Sequence, residues 1–151
     1  MKNFIAAVAL AAVLALTGCG GAGTTKTTTG AADTKTAQEA PKAPDLTGVW
    51  KQSNSNSETS YQQATITGDK ITIDWVSDGG NTTSTYWVGT FTPPSNATEP
   101  YTWTSQRDIE ATKSALLAST DATKDFKYQG GTISYKASAL GTTTTVNLKK
   151  N

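Results

Sequence analysis

The chain has 151 residues, with 13 basic and 12 acidic side chains, one cysteine and no histidine. This inventory excludes a disulfide within the chain, zinc sites built from His and Cys, and nucleophilic catalysis of the Ser-His-Asp or Cys-His kind. The near-neutral charge offers no clustered positive field, so nucleic acid is not an expected partner. With no staples, the fold must rest on a hydrophobic core, which requires about 100 ordered residues or more.

Lys2 gives the chain a positive start, and residues 4–16 form an uncharged run of Phe, Ile, Ala, Val and Leu. That run is shorter than the ~20 apolar residues needed to span a bilayer, and its composition is that of a signal peptide. Leu16-Thr17-Gly18-Cys19 closes it and contains the lone cysteine. These four residues resemble the lipobox of bacterial lipoproteins. The resemblance implies that residues 1–18 are removed and that Cys19 becomes the mature N-terminus, carrying a diacylglyceryl thioether with palmitate-type chains. It further implies that the rest is anchored to the extracytoplasmic face of the cell membrane. One acyl chain holds a protein only marginally, at about 0.8 kcal/mol per buried methylene, whereas two hold it stably. Removal of residues 1–18 also removes Lys2, leaving 12 basic against 12 acidic side chains.

Residues 20–44 are Gly, Thr, Ala and Lys, followed by a Pro-containing end, with no aromatic and no large aliphatic side chain. Such a segment cannot offset the entropy of ordering and is expected to be a disordered tether, stiffer toward Pro41 and Pro44.

From Asp45 the composition changes, and all 4 tryptophans lie beyond it. Short alternating runs separated by Gly, Asn, Asp and Pro predict an all-β domain over residues 45–151. The predicted strands are 47–53, 61–67, 70–77, 83–92, 101–107, 124–129, 132–138 and 142–150. In 70–77, Ile71, Ile73 and Trp75 share one face. Asp78-Gly79-Gly80-Asn81 and Gly130-Gly131 read as hairpin turns. Residues 108–119 allow two readings: a short helix with Ile109, Leu116 and Leu117 as its stripe, or a turn followed by a ninth strand over 112–118. Continuity of the meander favours the strand.

Eight or nine consecutive strands with tight turns close most simply into a small antiparallel up-and-down barrel, which removes exposed edges. Gly48-Val49-Trp50 resembles the Gly-x-Trp that opens lipocalins. That resemblance implies a lipocalin-like barrel in which Trp50, beside Gly48, plugs one end against a basic residue of the last strand, Lys149 or Lys150. The domain is shorter than a typical lipocalin and has no closing helix after its last strand. Residues 47–53 and 138–145 also resemble small uncharacterised lipoproteins of Gram-positive bacteria and their phages, a likeness that carries fold and anchoring but no activity.

Among side chains that bear chemistry, Trp75, Tyr86, Trp87, Tyr101, Trp103 and Tyr135 could form a stacking face for a sugar or apolar ligand, against the plain reading that they build the core. Asp121 with Asp125, and Asp108 with Glu110, are carboxylate pairs of the kind used in acid–base work, though solvated turns explain them more simply. Asp78-Gly79-Gly80-Asn81 lacks the spacing of a calcium loop. Asn81 and Asn96 match a glycosylation pattern that a bacterial lipoprotein has no general reason to use. No metal and no cofactor is expected.

The sequence therefore predicts a non-enzymatic, monomeric, membrane-anchored lipoprotein. Its partners are membrane lipid through Cys19 and a membrane or cell-wall protein. The leading expectation is action by binding or blocking, as in superinfection exclusion or inhibition of a lytic enzyme, with residues 53–60 as the candidate loop. The alternative is a module that captures a small ligand or glycan, which requires an aromatic-lined cavity.

Overall fold

The computed structural model describes residues 42–139 and 141–151. Leu16, Thr17, Gly18 and Cys19, expected to form a lipobox, and most of the expected tether lie outside the described residues. Eight strands form a closed antiparallel barrel in sequence order. They are β1 (Gly48–Gln52), β2 (Tyr61–Thr67), β3 (Lys70–Ser77), β4 (Thr82–Thr90), β5 (Tyr101–Arg107), β6 (Thr123–Gln129), β7 (Thr132–Ala139) and β8 (Thr142–Lys150). Closure comes from β1 on β8, with Trp50 opposite Lys150 and Gln52 opposite Leu148.

Alternation along each strand decides what faces inward. Ala64 and Ile66 of β2, Ile71 and Ile73 of β3, Ile133 and Tyr135 of β7, and Val146 and Leu148 of β8 are all buried. Their odd-step neighbours, such as Thr65, Lys136 and Lys149, are exposed, so each strand has one wet face and one dry face. Residues 68–69 and 130–131 join β2 to β3 and β6 to β7 as two-residue turns.

Two local devices shape the β4 side of the barrel. Between Ile73 and Asp74 the register against β4 shifts, leaving Tyr86 as an extra residue between Thr85 and Trp87. The bulge lets consecutive Tyr86 and Trp87 both be buried, which strict alternation forbids. At Gly89 the neighbouring strand comes so close that a Cβ would stand 2.4 Å from both the Gln106 carbonyl oxygen and Ser105 Oγ. Only a residue with no side chain fits there.

The expected ninth strand over 112–118 is not present. Residues 109–112 form a four-residue helix, α1 (Ile109–Thr112), capped by Asp108, whose side chain accepts from the Ala111 N–H at 3.0 Å. Turns closed by the Thr112 and Ala115 carbonyls carry the chain to residue 118. The reason is local: Asp108 is a strong N-cap, and residues 112–118 lack the in–out alternation that holds a strand against a core. The segment instead runs beside β4, donating from Asp108 N–H to the Val88 carbonyl and from Ser119 N–H to the Tyr86 carbonyl, each at 2.8 Å.

Strand directions give the barrel two distinct ends. The chain enters through residues 42–47 at the end that also holds the 68–69 and 130–131 turns, the 91–100 loop and Lys150. The opposite end gathers the 53–60 loop, the 78–81 turn and the 113–122 segment.

Candidate functional site

The entry end is sealed. Trp50 is 2% exposed, its indole N–H donates to the Leu46 carbonyl at 2.8 Å, and Tyr128 meets it edge-on at 6.2 Å. Lys150 Nζ lies 5.8 Å from the Trp50 ring centre and donates to the Asp45 carbonyl at 3.0 Å. The basic side chain over Trp50 is thus that of Lys150, while Lys149 points outward, opposite Lys51 and Thr132. Gly48 has φ +125°, and a Cβ there would press on Lys150 Cε at 3.1 Å, so glycine leaves the lysine stem its path across the tryptophan. Hydrogen bonds from the Thr47 backbone and hydroxyl hold the Asp45 carboxyl below its ordinary pKa.

The six aromatic residues expected to offer a binding face do not form one. Tyr86, Trp87, Trp103 and Tyr135 are buried, while Trp75 and Tyr101 are half-buried at opposite ends of the barrel. They fill the interior by stacking on one another. Trp103 lies at 5.2 Å from Phe126 with rings 11° from parallel, at 5.3 Å from Tyr101 and at 5.2 Å from Phe91. Phe126 in turn contacts Tyr135 at 5.1 Å. Such contacts add about 0.5–1.5 kcal/mol each beyond their buried area, and they leave the aromatic faces occupied by protein.

The members of each carboxylate pair are engaged by different partners. Asp125 is on the outer face of β6, where it accepts from Thr104 Oγ1 at 2.6 Å, whereas Asp121 accepts from Lys124 Nζ at 3.0 Å. Asp108 caps α1, and Glu110 pairs with Lys113 on the surface. Asp78 and Asn81 serve the turn itself, through Asn81 Nδ2 to the Asp78 carbonyl at 2.8 Å and Thr82 Oγ1 to Asp78 Oδ2 at 3.1 Å. No cluster of three or more metal-ligating side chains occurs among the described residues.

Sequence reasoning missed a polar cluster inside the barrel toward its open end. The Lys124 side chain is 4% exposed, with Nζ 5.1 Å and 5.2 Å from the ring centres of Tyr86 and Trp87. Its position was readable, because alternation places Lys124 on the inward face with Phe126 and Tyr128. Tyr135 donates to Gln62 Oε1, Tyr86 Oη accepts from the Ser138 N–H at 3.2 Å, and Trp87 donates to Ser105 Oγ at 3.1 Å. Burial, with Tyr86 adding to it, pushes the Tyr135 hydroxyl well above its ordinary pKa. Hydrogen bonds from Ser119 and then Lys124 draw the Asp121 carboxyl down. The cluster ties the 113–122 segment onto the barrel.

Above it, the open end carries a surface of a different kind. The 53–60 loop is held by its own hydroxyls: Ser55 Oγ donates to the Ser60 carbonyl at 2.7 Å, and Ser57 Oγ accepts from the Ser60 N–H at 3.0 Å. Asn54 substitutes for a strand residue, donating to the Thr145 carbonyl at 2.8 Å and accepting from the Asn147 N–H at 3.0 Å. Across from this loop, Leu116 is 100% exposed and Leu117 57%. Between them lies an open basin of about 610 Å³ lined by Trp75, Tyr61, Leu117 and a rim of Gln52, Asn54, Asn56 and Thr144. A second hollow, of about 370 Å³, continues from Trp75 and Leu117 to Asp121 and Ser138. No protein-family model, no curated protein and no solved structure matches the chain.

Proposed function

We propose that this is an extracytoplasmic protein, held to the membrane by lipid on Cys19, that acts by docking its open end on a protein and obstructing it. The observation that carries the reading is Leu116, fully exposed at the end remote from chain entry, beside Leu117 and half-buried Trp75. Exposed apolar side chains on a preordered polar rim are the composition of an interaction surface. A filled interior argues in the same direction, since the aromatics that a cavity binder needs are spent on core packing. A membrane partner blocked in superinfection exclusion, or a lytic enzyme, is the kind of protein this end would obstruct. The test places p-benzoylphenylalanine at Leu116 of the full chain in cells, with Thr65 on the outer wall as control. Crosslinking to one protein from Leu116 but not Thr65, abolished by Leu117→Asp, is expected. Equal crosslinking from both positions overturns the reading. For the anchor, Cys19→Ala is expected to move the protein from the membrane to the soluble fraction.

A second reading has its own support. Trp75 and Tyr61 under a rim of amides and hydroxyls match the stacking-plus-hydrogen-bond chemistry of a neutral glycan. Glycan-array binding lost in Trp75→Ala, with crosslinking absent, would put that reading first.

A further inference from the structure

The barrel is closed by unequal seams. Lys70–Ser77 pairs with Thr82–Thr90 along its whole length, but β4 meets β5 only at Gly89 opposite Arg107 and Thr90 opposite Gln106. Beyond that point the 108–119 segment takes over, reaching the Val88 and Tyr86 carbonyls and no further. Among the described residues, no backbone hydrogen bond joins Thr82–Thr85 to any neighbour on that side. A strand four residues long therefore has β3 on one flank and an open edge on the other. The edge borders a gap of about 430 Å³ lined by Ser84, Thr85, Ser114, Ala115, Leu116 and Leu117.

A row of free backbone donors and acceptors is complementary to one kind of molecule, another extended backbone. Natural edges are usually blunted by lysine, proline or a covering loop. This one carries three strand-favouring threonines, Thr82, Thr83 and Thr85, about Ser84, and the loop stands off it with its leucines exposed. The charges beside it have one sign. Asp74 lies opposite Thr85 and Asp78 accepts from Thr82, and among the described residues neither is in an ion pair, whereas the cation of the facing segment, Lys113, is engaged by Glu110.

We infer that Thr82–Thr85 is a strand-addition site, taking an extended segment of the partner that bears apolar side chains for the Leu116–Leu117 gap and a basic residue toward Asp74 or Asp78. This rests on the protein-docking reading above and supplies its mode of recognition. The probe is the peptide Lys-Val-Thr-Val-Thr-Val-Lys, compared with the same peptide N-methylated at alternate amides, which keeps the side chains and removes backbone donors. Amide exchange of the full chain in detergent micelles reads the result by mass spectrometry. The plain peptide is expected to slow exchange over residues 82–85 by about tenfold, with no protection from the methylated peptide. Protection is expected to be lost in Ser84→Pro and weakened in Asp74→Asn with Asp78→Asn. Should Ser84→Pro fail to fold, the methylated peptide carries the same comparison on the native chain. Absence of protection, or equal protection by both peptides, overturns the site. Unchanged binding by the Asn variant overturns the basic partner. Protection that grows with protein concentration alone would make a second copy the occupant and overturn it as well. Crosslinking from Leu116 without peptide protection would remove strand addition alone, whereas loss of that crosslinking removes the docking reading itself.

Discussion

The two ends of this barrel solve the same problem, covering the rim of a closed sheet, with opposite materials. At the entry end an indole is driven into the core, its N–H satisfied by Leu46 and its ring covered by Lys150 and Tyr128. At the other, serine and asparagine side chains hold the 53–60 loop, a buried lysine holds the 113–122 segment, and leucines are left in solvent. The first arrangement draws its strength from buried area, which is large and non-directional. The second rests on individual hydrogen bonds, each worth about 0.5–1.5 kcal/mol and each directional. Stability is thereby concentrated at one end: the sealed end sets the fold, and the polar end is free to carry an interaction.

The largest effect is expected at the sealed end, at Trp50. Trp50→Ala is expected to destabilise by about 3–5 kcal/mol, by loss of transfer energy and the cavity left behind, read as a lower denaturant midpoint. Next comes Tyr135, whose hydroxyl bonds Gln62 inside the barrel. Tyr135→Phe leaves Gln62 Oε1 buried without its donor and should cost about 1–3 kcal/mol at neutral pH, while the double variant with Gln62→Leu should recover much of it. The native hydroxyl also sets a pH limit. Its pKa is raised by burial, so the folded state keeps a proton that the unfolded chain releases near pH ~10. Its contribution is complete below that pH and is lost as pH climbs toward the folded value. Denaturation followed from pH 8 to 11 (roughly the span that brackets ordinary tyrosine ionisation) should show an alkaline decline that Tyr135→Phe reduces to the part set by Tyr101, whose hydroxyl burial also raises.

Much of the barrel was legible because strand alternation is a two-residue signal. Ile71 with Ile73, and Val146 with Leu148, announced their common face, and glycine-bearing turns announced where the chain reverses. The eight strands followed, and closure followed from their number and short connections. What failed was long-range or singular. The bulge at Tyr86 depends on the register of β3, which no local pattern encodes. Residues 112–118 read as a ninth strand on the continuity of the meander alone, and the Asp108 cap, which that reading leaves out, sets a helix over Ile109–Thr112 instead. The aromatic set looked like a binding face because composition cannot distinguish a ring stacked on a ligand from one stacked on Phe126. Lys124 is legible by the same rule, since it shares the inward face of Phe126 and Tyr128.

The smaller effects belong to the open end. Asn54→Ala removes two backbone-like bonds to β8 and is expected to lower stability by about 1 kcal/mol, with faster amide exchange confined to the 53–60 loop and the start of β8. Asp121 acts in the acid range. Its lowered pKa means that its contribution holds above the ordinary carboxylate range and fades as pH falls through the depressed value. Asp121→Asn should therefore reduce the acid limb of the stability profile, with the part set by Asp45 remaining, and leave the alkaline limb untouched, the converse of Tyr135→Phe.

The smallest change in stability is expected where the change in function is greatest. Leu116 makes no buried contact, so Leu116→Asp should shift the unfolding free energy by no more than about 0.5 kcal/mol in either direction. The same substitution puts a charge at the centre of the apolar patch, where burying it against a partner would be penalised by desolvation. A variant that unfolds at the native denaturant concentration yet no longer captures its partner would show that the open end is built for contact, with the sealed end carrying the fold. A stability loss comparable to that of Trp50→Ala would instead make the leucine part of the core and erase the distinction between the two ends.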